Sequence, residues 1–187
     1  MAGVSRRLDY WGFDAQGNVV EAPTAVSGGF TLRGEVRDDV RALELWSALK
    51  LAMQKRGREV IIEEAAYTWF NRVLAMRILS RNGYDDPQLD IEANASSLEP
   101  LMLRRARQGH SPFLKPDDQA RLAKIVTDYS KEQEALALLL TGYCREHGTL
   151  SEVFGRPDDF TELLLPDDML KSGGFLDLLR EAERDAD

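Results

Sequence analysis

Residues 59–82 constrain the fold more than any other part of the chain, because apolar side chains recur there on most sides of a helical wheel. Two adjacent stripes keep the spacing of a helix face: Ile62, Ala66, Trp69, Val73 and Met76, and Ile61, Ala65, Phe70, Leu74 and Ile78. A helix that is apolar on most sides has to be buried on most sides. The segment therefore predicts a central helix packed among other helices.

Several other segments also carry helical patterns. A long helix is predicted from Thr31, as its N-cap, to about Arg56, and its apolar face comprises Val36, Val40, Leu43, Trp46, Leu49 and Met53. Shorter helices are predicted over residues 98–108, 116–127 and 131–147, and from about Phe175 onward. These patterns predict a mainly α fold, an irregular helical bundle of about five to seven helices.

The N-terminal residues differ from the rest of the chain. In residues 8–22, aromatic and β-branched side chains flank a Gly-containing turn, which predicts a small N-terminal β-hairpin. Residues 22–30 are rich in turn-forming residues and are interpreted as a linker. We therefore divide the chain into a hairpin and linker appendage, residues 1–30, and a helical domain, residues 31–187.

Composition limits the class of protein. The net formal charge of −8 on 187 residues argues against a simple nucleic-acid coat protein, which would be basic. The longest apolar runs, residues 136–140 and 163–165, are far too short to span a bilayer, so no membrane partner is expected. No secretory signal is visible, and the single cysteine, Cys144, suits a reduced, cytoplasmic setting.

Two blocks of sequence resemble one enzyme family. The first is AYTWFNR at residues 66–72, with LSRNGY at 79–84, and the second is DFTELLLPD at 159–167, followed by Met169-Leu170 and Gly173-Gly174. In content and order they are similar to the N-terminal region of PglX-type adenine-specific DNA methyltransferases, found in BREX phage-defence systems and related restriction-modification enzymes. In that family the methyltransferase core follows the second block. The resemblance implies a non-catalytic domain that packs on this core, in cis or in trans.

The chemistry of the family implies features that this chain lacks. The resemblance implies a pocket for S-adenosylmethionine and an Asn-Pro-Pro-aromatic clamp for a flipped base. The chain has no two adjacent prolines, no Gly-x-Gly, and no alternation of strands and helices typical of a doubly wound sheet. We therefore expect no catalytic residue and no cofactor here. S-adenosylmethionine and methyl transfer are expected only in the parent enzyme.

Metal binding is also not expected. Cys144 precedes His147 by one helical turn, but structural zinc takes four ligands, and the chain has only two histidines and one cysteine. We interpret Cys144 as a small buried side chain and His147 as a favourable cation near a helix end.

Four residues of the first block are structural or interface candidates: Trp69, Phe70, Asn71 and Arg72. Asn71 and Arg72 interrupt an apolar helix, where a buried polar group costs free energy unless it is paired. One interpretation is a hydrogen-bond network that fixes the neighbouring helices, and the other is a contact to DNA or to the methyltransferase core. We favour the structural interpretation, and we interpret Trp69 and Phe70 as core residues rather than a base-stacking platform.

Two windows contain cations and no acids. Residues 45–58 carry Lys50, Lys55, Arg56 and Arg58, and residues 100–116 carry Arg104, Arg105, Arg107, His110 and Lys115. In an acidic chain such segregation predicts a strip that contacts DNA phosphates, and the second window is the better candidate. The alternative is a solvated face whose arginines pair with acids from other helices.

Two functional hypotheses follow. The first is a helical N-terminal domain of a PglX-like methyltransferase that assists binding of duplex DNA or of other defence-system proteins. The second is a free-standing interaction adaptor that binds protein and not DNA, which would suit the charge of −8. An Asn-Pro-Pro-aromatic motif downstream in the same reading frame would favour the first.

Overall fold

The computed structural model describes residues 1–86, 88–91, 98–154 and 159–184. The elements follow one another as α1 (Ala2–Tyr10), β1 (Thr24–Val26), β2 (Gly29–Leu32), β3 (Glu35–Arg37), α2 (Arg41–Arg56), α3 (Arg58–Arg81), α4 (Leu101–Arg107), α5 (Pro116–Ile125), α6 (Glu132–Glu146), α7 (Gly148–Phe154) and α8 (Phe175–Arg184). Two 3₁₀ turns also form, at Tyr129–Lys131 and Phe160–Leu164.

The predicted mainly α class with a small N-terminal β-hairpin is confirmed. The described ranges contain eight α-helices, one more than the upper end of the predicted count. Within those ranges, no helix is both long enough and apolar enough to cross a membrane.

The β-structure lies further along the chain than predicted. The three strands form an antiparallel sheet in the order β1-β2-β3, in which Val26 pairs with Gly29 and Leu32 pairs with Glu35. Arg33 and Gly34 connect β2 to β3, and both have positive φ, 53° and 76°, as a two-residue type I′ turn requires. The predicted linker, residues 22–30, therefore includes β1 and the start of β2.

Two predicted boundaries are corrected as a result. The predicted hairpin, residues 8–22, begins inside α1, and what remains of it is a single antiparallel bridge between Phe13 and Val19. The first long helix begins at Arg41 and not at Thr31, because residues 31–37 are used by the sheet. Val36, assigned to the apolar face of that helix, is 67% exposed on β3.

Contacts divide the chain into two compact units, each made of two stretches. The first unit is Met1–Phe70 with Pro157–Asp167, and the second is Asn71–Arg156 with Asp168–Asp187. The predicted boundary near residue 30 stays a prediction, because a grouping of contacts does not test which segments fold independently.

Aromatic side chains form much of the core of the first unit. The ring centroids of Trp11 and Phe30 are 5.5 Å apart, and those of Phe13 and Trp46 are 5.8 Å apart. The indole N–H of Trp46 donates to the backbone carbonyl of Trp11 at 2.9 Å, so the polar atom of this buried ring is satisfied. These rings join α1, the sheet and α2 into one apolar cluster.

The returning segment, residues 159–165, completes the first unit. The Trp69 indole donates to the Thr161 carbonyl at 2.8 Å, and the Trp11 indole donates to the Leu163 carbonyl at 2.9 Å. The Asp159 carboxylate accepts from the Thr161 N–H at 2.8 Å and caps the 3₁₀ turn. The two blocks that carry the family resemblance are therefore joined by a hydrogen bond between Trp69 and Thr161.

Helix α6 supplies several fully buried side chains of the second unit. Leu136, Leu139 and Leu140 have no exposed surface. A Cβ atom at Gly142 would lie 2.2 Å from the Cδ2 atom of Leu114, so glycine permits the close approach of that leucine. The Phe113 and Tyr143 rings meet edge to face at 5.2 Å.

Helix α3 is buried on one side only. Ile61, Ala65 and Trp69 are buried, whereas Tyr67 is 65% exposed and Phe70 is 45% exposed. The prediction of burial on most sides is therefore wrong for the face that carries Phe70, although the core position of Trp69 is as expected from its stripe.

Replacing Trp69 with alanine should strongly destabilise the protein. The indole is 1% exposed, and truncating a buried aromatic side chain typically costs about 3–5 kcal/mol. Chemical denaturation would measure the loss. Tyr67→Ala, on the exposed side of the same helix, is the matched control and should change the unfolding free energy by less than about 0.5 kcal/mol. Similar midpoints for the two variants would contradict this account of the core.

Candidate functional site

The first block presents two different faces. Trp69 and Arg72 point inward, and Arg72 is only 2% exposed, whereas Tyr67, Phe70 and Asn71 lie on the exposed side of α3. Positions 69 and 72 are three residues apart, as are 67 and 70, so each pair shares a helix face. The block thus combines residues that support the core with residues that lie at the surface.

Arg72 lies in the buried part of the second unit. One of its guanidinium N–H groups donates to the Phe154 carbonyl at 3.3 Å. Burial raises the pKa of the Cys144 thiol to about 12, and the charge of Arg72 opposes that rise in the pKa. The position of Arg72 supports the structural interpretation, and a contact of Asn71 with DNA or with the methyltransferase core stays a prediction.

The cations of the 100–116 window do not form one exposed strip. Arg107 is held by the carboxylates of Glu99, at 2.6 Å, and Glu132, at 2.5 Å. The same guanidinium donates to the Val126 carbonyl and lies 4.1 Å from the centroid of the Tyr129 ring. Arg107 therefore ties α4 to the start of α6, and its contact with DNA phosphates stays a prediction.

The other cations of this window have different surroundings. Arg105 pairs with Asp86 at 3.0 Å, and Arg104 is half-buried on the same helix. His110 is exposed, and the Lys115 ammonium lies 3.8 Å from the Glu146 carboxylate. Some arginines of residues 100–116 thus pair with acids, as the alternative interpretation expects. Phosphate binding by this window stays a prediction.

A polar cluster that the sequence did not indicate forms around Asp85. The Tyr143 hydroxyl donates to the Asp85 carboxylate, and the His147 Nε2 atom lies 3.3 Å from the same carboxylate oxygen. The His147 Nδ1 atom accepts from the Leu150 N–H at 3.3 Å, so the ring hydrogen is assigned to Nε2. Burial, followed by the hydrogen bond to Asp85, raises the pKa of Tyr143, which makes it a poor nucleophile or base.

The residues of this cluster lie far apart in the sequence, which is why sequence patterns do not reveal it. The residues around Asp85 are typical of a turn and those around His147 of a helix end, and neither pattern indicates that the two side chains meet. Over the described residues, no group of three or more His, Cys, Asp or Glu side chains is arranged to hold a metal ion.

The paired glycines of the second block have a structural explanation. A Cβ atom at Gly174 would lie 1.9 Å from the Asp168 carbonyl oxygen, so any other residue would clash with the backbone. The Gly173 N–H donates to the Asp177 carboxylate at 2.9 Å, and this bond is the largest cause of the lowered pKa of Asp177. The glycines and Asp177 thus shape the entry into α8.

The chain is similar to part of two bacterial enzymes. The adenine-specific methyltransferase BrxX of Escherichia coli O9:H4 (strain HS) is 26% identical over 164 residues, 87% of this chain. The adenine-specific methyltransferase PglX of Lacticaseibacillus casei (strain Zhang) is 29% identical over 167 residues, 84% of this chain. The resemblance to PglX-type methyltransferases is confirmed.

The matched region is 14% of each of these relatives, so the chain spans a small part of their length. No protein-family model matches the chain, and no solved structure matches it.

Cys144 should resist alkylation until the protein unfolds. The thiol is buried and its pKa is raised to about 12, so at pH 8 almost no reactive thiolate forms in the folded protein. Because the chain has one cysteine, iodoacetamide uptake measured by mass spectrometry reports on this site alone. In a Val36→Cys variant, the thiol on exposed β3 should react quickly in the same sample. Equally fast labelling of both thiols without denaturant would show that Cys144 is accessible.

Proposed function

We propose that this chain is a non-catalytic helical segment of a PglX-like adenine-specific DNA methyltransferase that acts in phage defence. It packs on the methyltransferase core, in cis or in trans, and assists binding of DNA or of partner proteins. The observation that carries the proposal is the similarity of 84–87% of the chain to only 14% of each relative, which leaves the greater part of those enzymes outside the match.

The structure supports a scaffolding role rather than a chemical one. The described strands form a short antiparallel sheet, whereas dinucleotide-type cofactors bind at the carboxyl ends of parallel strands. The polar groups of the Asp85 cluster are occupied by one another. We propose that S-adenosylmethionine and the flipped base bind to the part of the enzyme outside this chain.

The adaptor hypothesis has one specific observation in its favour. Arg105 and Arg107 pair with carboxylates, which lowers the local positive charge available to DNA phosphates. An acidic scaffold of this kind would bind basic protein surfaces more readily than DNA. The two hypotheses share a protein-binding role. They differ in whether the chain acts as part of a methyltransferase or as a free-standing adaptor, and in whether DNA is contacted.

Exchanging the matched segment of E. coli BrxX for this chain tests the proposal. The resulting exchange chimera should methylate adenine in DNA, and a deletion of the segment should not, because the core would lose its packing partner. The isolated chain should neither bind S-adenosylmethionine in calorimetry nor methylate DNA. A folded chimera without activity would argue against the proposal, and so would micromolar binding of the cofactor by the chain alone.

Replacing Arg104 and Arg105 with alanine tests the DNA contact. If these side chains contact phosphates, the double variant of the chimera should bind all duplex sequences more weakly. The slope of log affinity against log salt concentration should also become shallower, by about one unit for each phosphate that is no longer neutralised. Arg107 is left intact, since removing it would break its pairs with Glu99 and Glu132. Lys50→Ala with Lys55→Ala removes two cations from the first window, and a smaller loss of affinity in this variant would identify the second window as the main contact. Unchanged affinity and slope would favour the adaptor hypothesis.

A further inference from the structure

The exposed side of α3 within the first unit carries a continuous set of outward residues. We define the outward α3 face as Val60, Glu63, Tyr67 and Phe70. At about 100° per residue, these positions fall within one side of the helix and extend over nearly three turns. They lie opposite Ile61 and Ala65, which belong to the core of the first unit, and opposite Trp69, which donates a hydrogen bond to the returning segment.

The composition of this face is unusual for a free surface. Val60 is 48% exposed and Tyr67 is 65% exposed, and Phe70 adds part of a third large side chain. Single exposed apolar residues are ordinary, but several on one helix face, aromatic rings among them, are typical of the buried centre of a protein interface. Tyrosine is also among the residues that contribute most to binding when they become desolvated.

The charges on the face indicate the chemistry of its partner. Glu59 and Glu63 are both exposed and are separated by one helical turn, so they repel each other. The residues one turn before and after Glu63 are Glu59, Val60, Ala66 and Tyr67, and none of them is a cation. A lysine or arginine from a partner would relieve this repulsion.

We propose that the outward α3 face docks against the methyltransferase polypeptide outside the matched region, at an apolar surface that places a cation opposite Glu59 and Glu63. This inference rests on the proposed function and names the surface through which it operates. The carboxylates disfavour DNA, because they repel phosphates. They also disfavour a symmetric dimer of this chain, in which the face would meet itself and bring like charges together.

Site-specific alkylation in the exchange chimera tests the docking. A Tyr67→Cys thiol should react quickly in the isolated chain and about tenfold or more slowly in the chimera, because a docked residue reacts only from the undocked fraction. A Val36→Cys thiol, 67% exposed in the same unit, should react at similar rates in both. Peptide mass spectrometry separates these thiols from those of the rest of the chimera.

Reversing the charge of Glu63 gives a second test, because it should not harm the isolated chain but should weaken docking in the chimera. Glu63→Arg should leave the melting temperature of the isolated chain equal or higher, since it removes a like-charge pair. In the chimera it should speed alkylation of the Tyr67→Cys thiol severalfold, because it places a cation opposite the partner's cation. Glu44→Arg, exposed on α2 of the same unit, should leave the alkylation rate of the Tyr67→Cys thiol in the chimera unchanged.

The outcomes separate the two proposals. An active chimera in which the Tyr67→Cys thiol reacts as fast as in the isolated chain overturns the docking face and leaves the proposed function standing. An inactive, folded chimera overturns both. A dimer of the isolated chain that Tyr67→Ser disrupts would assign the face to a second copy and overturn docking to the methyltransferase.

Discussion

The hydrogen bond from the Trp69 indole to the Thr161 carbonyl is the contact on which the first unit depends. It joins residues that are 92 positions apart, and the Trp11 indole makes the equivalent bond to Leu163 across 152 positions. Each bond satisfies a buried donor and a carbonyl of the returning segment at once, so losing either partner would leave a polar group buried without water. The charged pairs of Arg41 with Glu162 and of Arg6 with Asp167 add contacts at the surface of the same segment.

Local pattern predicts the helices well and the tertiary pairings poorly. The stripe through Trp69 indicates the correct buried side of α3, because helical spacing is a property of neighbouring residues. The predicted position of the sheet is wrong, because the Arg33-Gly34 turn depends on a positive φ that composition does not reveal. The sequence makes Arg107 a candidate for DNA contact because residues 100–116 contain no acids. Its acidic partners, Glu99 and Glu132, lie outside that window, so the sequence pattern does not reveal the ion pairs.

The first block places buried and exposed side chains close together on one helix. Trp69 and Arg72 face inward and Tyr67 faces solvent, so fewer than two helical turns present residues both to the core and to solvent. A change at an inward position acts on the folded state, and a change at an outward position leaves the fold intact. The chain therefore offers variants that separate loss of folding from loss of association, as a test of the proposed docking requires.

The distance along the chain between Trp69 and Thr161 also governs the order of events during synthesis. Ribosomes add about 5–20 residues per second, so roughly 5–20 s pass between the appearance of the indole and that of its carbonyl partner. During that interval α1, the sheet and α2 are complete, but the apolar surface that later receives Phe160 and Leu164 is uncovered. During this period the nascent chain exposes an apolar surface that chaperones can bind and that favours aggregation. The period ends only when the returning segment has left the ribosome.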